Sequence, residues 1–177
     1  IYMEKVLGRE QPRVGLVNIG AEAAKGSTLT KAAYDLLEQS HLNFTGNVEA
    51  REVPKGACDV IVTDGFTGNI LLKLTEGLAW NILQVIKQRF TDGVKAKLGA
   101  ALLLDKIKGL KKEFDYSEYG GAPILGVRGP IVKMHGSSNA NAVKNTILKG
   151  IPYVSEHVVD KIQNSVLEIE EITLSEY

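Results

Sequence analysis

The chain has 177 residues, 44% of them hydrophobic and 24% charged, with 21 basic side chains balanced by 21 acidic ones. That length and composition fit one ordinary globular domain with a real core. The zero formal net charge excludes a global draw toward nucleic acid, so any acidic partner has to meet a local patch.

The single cysteine, Cys58, rules out an internal disulfide and points to a reducing, cytoplasmic setting. It reads as a small buried hydrophobe, because no histidine lies near it in sequence to activate a thiol. No apolar run approaches the roughly 20 residues that span a bilayer, and no secretory signal is expected.

Ile1–Gly8 reads as the last turns of a helix ending at Gly8, with no start Met, as expected of a piece of a longer protein. Arg13–Asn18 reads as a buried strand. A glycine-bearing loop, 19–27, follows it. Thr28–Gln39 shows helical spacing through Leu29, Ala32, Ala33, Leu36 and Leu37. Leu42–Val48 and Val60–Thr63 read as two further strands, and a long helix is expected from about Thr67 to Phe90. Its core stripe would be Leu71, Leu74, Leu78, Ile82 and Val85.

Ala96, Ala100, Leu103, Leu104, Ile107, Leu110 and Phe114 share a helical stripe flanked by Lys95, Lys106, Lys108 and Lys112. The glycines at 93, 99 and 109 argue against one unbroken helix there. Strands 124–127 and 131–134, joined through Arg128-Gly129-Pro130, predict a hairpin. A helix follows over Ala140–Lys149, Pro152 interrupts, and a last helix runs from about Val154 to Glu170. Strands alternating with helices predict a three-layer αβα fold around a mostly parallel sheet, as a single unit over 1–177. Residues 93–114 would form a protruding amphipathic helical segment.

Three loops share one design, a strand, then glycine with small polar residues, then a helix: 20–27, 64–69 and 135–139. Helix starts present unpaired amides and a positive dipole end, and Gly65 and Gly68 would let an oxyanion approach the backbone. With Lys25 as a point charge and Asn69, Ser137 and Ser138 as hydrogen-bonding groups, the loops can form a phosphate cradle. The same residues also suit three ordinary capped helices and a surface lysine. His135 could touch an anion or simply fill a turn. His41 and His157 read as surface residues. The histidines show no metal-ligand spacing, and neither a Walker motif nor G-x-G-x-x-G follows a strand, so no metal and no cofactor are expected.

Five motifs in order resemble one family: Val14–Gly20 with Lys25-Gly26; Phe44–Glu49; Asp64–Asn69 with Lys73 and Glu76-Gly77; Tyr119–Pro123; and His135–Asn139. Together they resemble the carboxyl-terminal half of the bacterial phosphate acyltransferase family PlsX. The resemblance implies a fold like isocitrate dehydrogenase and phosphotransacetylase, a homodimer, and peripheral membrane association. It also implies formation of acyl phosphate from orthophosphate and fatty acyl-acyl carrier protein, early in phospholipid synthesis. On that reading Lys25 and Asn69 carry the chemistry, and Gly65, Gly68, His135, Ser137, Ser138 and Asn139 bind phosphate. The usually acidic loop before the lysine is here Ala21-Glu22-Ala23-Ala24. Segment 95–114 can pack in a dimer, meet an acidic carrier protein, or lie on an anionic membrane surface. A short-chain phosphate acetyl- or butyryltransferase using coenzyme A thioesters, and an inactive dimerising or membrane-binding fragment, are the competing expectations.

Overall fold

The computed structural model describes residues 1–103, 105–107, 109 and 120–175, with side chains through 167 in the last helix. The chain divides into two compact units, Ile1–Leu74 and Thr75–Tyr177. The fold class is α/β, as the sequence pattern predicts: a parallel sheet flanked by helices, and a separate antiparallel pair.

In the first unit, helix α1 (Tyr2–Lys5) precedes strand β1 (Val14–Asn18), helix α2 (Thr28–Glu38) and strand β2 (Phe44–Glu49). A 3-10 turn over Ala50–Lys55 then leads to strand β3 (Val60–Val62). The three strands pair in the order β2-β1-β3, both pairs parallel. β1 is central, so four of its residues, Val14 to Val17, are buried, which is why it reads as a nearly continuous apolar run. Gly15 is confined by space: a Cβ there would lie 2.7 Å from Cys58 Sγ.

The helix α2 turns a different face inward from the one its apolar spacing suggests. Thr30, Ala33, Tyr34 and Leu37 are partly covered, whereas Leu29 and Leu36 stand 64% and 72% exposed. The edge-to-face contact of Tyr34 on Phe44, with ring centroids 5.2 Å apart, selects that face.

Helix α3 (Gly65–Thr91) begins in the first unit and continues into the second. Its expected core stripe needs correction: Leu74, Leu78, Ile82 and Val85 are exposed, and the helix buries no residue fully. Apolar residues occur on more than one face of α3, so periodicity alone could not select the covered one. Its Trp80, Leu83, Ile86 and Phe90 line an apolar cavity of about 660 Å³ with Ala100 and Ala101 of helix α4 (Gly93–Leu102).

Strands β4 (Ala122–Ile124) and β5 (Ile131–Lys133) form the expected antiparallel hairpin, with Ala122 opposite Lys133 and Ile124 opposite Ile131. Helix α5 (Ala140–Ser155) follows, then helix α6 (Val158–Ser175). Pro152 does not interrupt α5. It lies inside the helix, which runs on to Ser155. The break comes at His157, whose φ of +50° is a left-handed conformation that a helix interior cannot hold. Ala142, Thr146, Tyr153 and Val158 form the buried centre of this unit.

Candidate active site

Strand order decides where the first two loops lie. β1 and β3 are adjacent and parallel, so loop 19–27 after β1 and turn 63–69 after β3 leave the same, carboxyl end of the sheet. The connection from β1 goes to one side of that strand, and the chain then crosses to the other. The junction of β1 and β3 is therefore a topological switch point, where open α/β sheets hold their ligands.

Loop 19–27 is tied down by two side-chain amides. Asn18 Nδ2 donates to the Lys25 carbonyl at 3.0 Å and to Asn47 Oδ1 at 3.1 Å, while its Oδ1 accepts from the Ile19 amide at 2.8 Å. Asn47 Nδ2 donates to the Glu22 carbonyl at 2.8 Å. The Lys25 amide closes a turn on the same carbonyl at 3.0 Å. Gly26 follows with φ +101°, a conformation glycine accepts readily. Ser27 then caps α2, its Oγ accepting from the Thr30 amide at 3.2 Å. The Lys25 side chain is exposed and forms no ion pair among the described residues.

Turn 63–69 is built differently. Asp64 Oδ1 accepts from the amides of Phe66 at 2.9 Å and Thr67 at 2.8 Å, and the Gly68 amide donates to the Asp64 carbonyl at 2.9 Å. The first turn of α3 thus supplies its own anion. Hydrogen bonds from the Thr67 side chain and amide hold the Asp64 carboxyl below its usual range. The capping role of Asp64 is therefore realised, and the Phe66, Thr67 and Gly68 amides already have acceptors. Asn69 lies exposed in the second turn of α3, and Gly65 is exposed at its start.

At the amino end of the same sheet, Arg13 Nε and Arg9 Nη1 donate to the Asp59 carboxylate at 3.0 and 2.8 Å. The hydrogen bond from the Arg13 side chain is the main cause holding the Asp59 carboxyl below its ordinary value. Burial pushes the Cys58 thiol up, which suits a packing residue better than a nucleophile.

In the second unit, turn 135–139 is closed locally. His135 Nδ1 lies 2.7 Å from Ser137 Oγ and 3.3 Å from the Ser137 amide nitrogen. The Ser138 amide donates to the His135 carbonyl at 3.0 Å, and Asn139 Oδ1 caps α5 on the Ala142 amide at 2.9 Å. Nearby, the Gly121 amide donates to Thr146 Oγ1 at 2.7 Å, and a Cβ on Gly120 would meet the Thr146 backbone at 2.8 Å. The close approach of Gly120 to α5, and of Gly121 to β5 and the Thr146 side chain, accounts for that glycine pair. Tyr119 lies outside the described residues, as do Leu104, Leu110 and Phe114 of the apolar stripe and the flanking Lys108 and Lys112. α4 ends at Leu102, and Val94, Leu98 and Leu102 form an exposed row along it.

Among the described residues, no three His, Cys, Asp or Glu side chains gather as a metal site, and no helix is long and apolar enough to cross a membrane. Residues 1–161 match the family described as fatty acid synthesis protein. The chain belongs to this family, PlsX. The resemblance carried by the five motifs is borne out. The PlsX-family chain is 53% identical over 165 residues to a phosphate acyltransferase of Brevibacillus brevis, covering 93% of this chain and 49% of that relative. It is 49% identical over 169 residues to a phosphate acyltransferase of Clostridium acetobutylicum, covering 96% and 51% respectively. A phosphate acyltransferase of Clostridioides difficile is 48% identical over 171 residues, covering 97% and 50%. The chain spans about half the length of the curated relatives it matches.

Asn18 and Asn47 fall within two of the family motifs, Val14–Gly20 and Phe44–Glu49, but are not among the residues expected to bind or react. For Asn18 the available signal is its place at the end of the apolar run Val14–Val17, whereas the mixed strand Phe44–Glu49 gives none for Asn47. Asn47 is only 8% exposed, and a buried carboxamide needs partners.

Proposed function

We propose that this chain is the carboxyl-terminal half of an enzyme that makes acyl phosphate from fatty acyl-acyl carrier protein and orthophosphate. The observation that carries the reading is the switch point of a PlsX-family sheet with Lys25 in the loop after β1 and Asn69 in the second turn of α3, which follows β3. An orthophosphate oxygen attacks the thioester carbonyl carbon, and the carbonyl π pair moves onto oxygen. The tetrahedral intermediate then collapses, the C–S bond breaks, and the carrier thiolate leaves and takes up a proton. The Lys25 ammonium offsets phosphate or oxyanion charge, and the Asn69 carboxamide donates at the same centre. Because Asp64 occupies the Phe66 and Thr67 amides, side chains rather than those amides supply the donors.

Each such donor is worth roughly 3–4 kcal/mol of barrier, so Lys25→Ala and Asn69→Ala should each lower turnover by about a hundredfold or more. The assay is phosphate-dependent release of free carrier protein by the complete enzyme. Parent-like turnover in either variant removes that residue from the site, and preference for an acyl-coenzyme A donor redirects the reading to a short-chain transferase. His135, Ser137, Ser138 and Asn139 are proposed as phosphate contacts of the second unit.

The enzyme is further proposed to be a cytoplasmic homodimer that rests on anionic membrane. The exposed row of Val94, Leu98 and Leu102 beside Lys95 and Lys97 supports that surface role. Glutamate at 98 and 102 should weaken sedimentation with anionic liposomes while the circular dichroism spectrum stays unchanged. Equal sedimentation rejects the membrane role for that row.

A further inference from the structure

The geometry points to Asn18 and Asn47 as positioning residues that set where the Lys25 ammonium stands. The inference rests on the proposed role of Lys25 and extends it to two side chains in the strands below. Asn18 is the last residue of β1, and Asn47 lies in β2 opposite Leu16 in the parallel register. Both positions belong to the paired strands of the first unit, beside the buried Leu16, Val17 and Val48.

From there the two carboxamides reach over the sheet end and hold two loop carbonyls, that of Glu22 at 2.8 Å and that of Lys25 at 3.0 Å. The segment between them is thus fixed at both ends. The bond from Asn18 Nδ2 to Asn47 Oδ1, at 3.1 Å, makes the pair one network rather than two separate ties. Gly26 leaves the clamp, where any Cβ would collide with the Asn18 carboxamide and the Thr30 hydroxyl.

The residue type is specific to the task. Asn18 donates twice and accepts once, a combination that neither a carboxylate nor an ammonium provides. It is also neutral. A carboxylate at this place would hold the backbone no better and would draw the ammonium away from a bound phosphate. A lysine on an untethered loop would have to be ordered at each turnover, and misplacement by about 1 Å costs up to about a hundredfold in rate.

The test is a double-mutant cycle in the complete enzyme, with parent, Asn18→Ala, Lys25→Ala and the double variant assayed for phosphate dependence. Asn18→Ala is expected to lower kcat/KM for phosphate by about tenfold, with KM for the acyl donor unmoved. Added to Lys25→Ala it should cause no further loss, because the group it positions is gone. An equal loss in both backgrounds, or none in the parent background, overturns the clamp and leaves the Lys25 reading standing. Parent-like turnover of Lys25→Ala removes the Lys25 reading itself, and the clamp with it. If Asn18→Ala does not fold, Asn47→Ser enters the same cycle with the same expected and overturning outcomes.

Discussion

The two ends of the parallel sheet hold their neighbouring backbone by opposite means. At the amino end, Asp59 accepts from Arg9, from the Arg13 side chain and from the Arg13 amide, so one carboxylate ties two guanidinium groups where the chain enters β1 and β3. At the carboxyl end, Asn18 and Asn47 hold the loop with neutral carboxamides, and the nearby ammonium of Lys25 pairs with nothing among the described residues. Charge is consumed where the sheet is fastened and kept where a ligand would be met. A strand-glycine-helix pattern does not by itself distinguish the two uses, since Asp64 satisfies the amides of its own helix while Lys25 leaves its charge outward.

The largest expected effect breaks the neutral end. Asn47→Ala removes a buried carboxamide and leaves the Glu22 carbonyl and Asn18 without that partner, so unfolding free energy should fall by about 1–3 kcal/mol in urea titration. A midpoint indistinguishable from the parent means the loop is held by its own turn and by Gly26, and the contrast between the two ends dissolves.

The same contrast separates what the amino-acid sequence displays from what only the folded chain shows. The strands were readable because β1 is buried on both sides and shows it in an unbroken apolar run. The start of α2 at Ser27 and that of α5 at Asn139 were readable because capping needs a short polar side chain at one place. The inward faces of α2 and α3 were not, since Tyr34 on Phe44 overrides the leucine spacing and α3 is apolar on several faces. Pro152 misled because a proline near a helix end removes one hydrogen bond without preventing another turn. Lys25 stood out as a charge beside glycines, whereas Asn18 and Asn47 act through a register of β1 on β2 that no single stretch of sequence displays.

Acid should loosen the charged end. The Asp59 carboxyl is held below its ordinary value chiefly by the Arg13 side chain. A depressed folded-state value means that its stabilisation is complete above the unfolded value, about 3.9, and is lost as pH falls through the lower folded value. Asp59→Asn should therefore lower stability at neutral pH and flatten the dependence below about pH 4, whereas Asn47→Ala should shift the whole curve without changing that slope. A parent-like acid limb in Asp59→Asn assigns the dependence to other carboxylates, Asp64 first among them.

The smallest effect separates the two arginines. Arg9 gives Asp59 a charged contact from a side chain that is 62% exposed, where water and salt screen the attraction. Arg13 also donates to Asp59, and in addition to the carbonyls of Ala57 and Gly56, so it orders the chain entering β3 as well as pairing a charge. Arg9→Ala should lower Tm only slightly, and raising the salt concentration should shrink even that difference. Arg13→Ala should cost more and retain most of its cost at high salt, because carbonyl bonds do not depend on a paired charge. Equal and equally salt-sensitive losses would mean that only the ion pairs fasten this end, and that the carbonyl bonds of Arg13 add nothing the bound water of an open strand end could not replace.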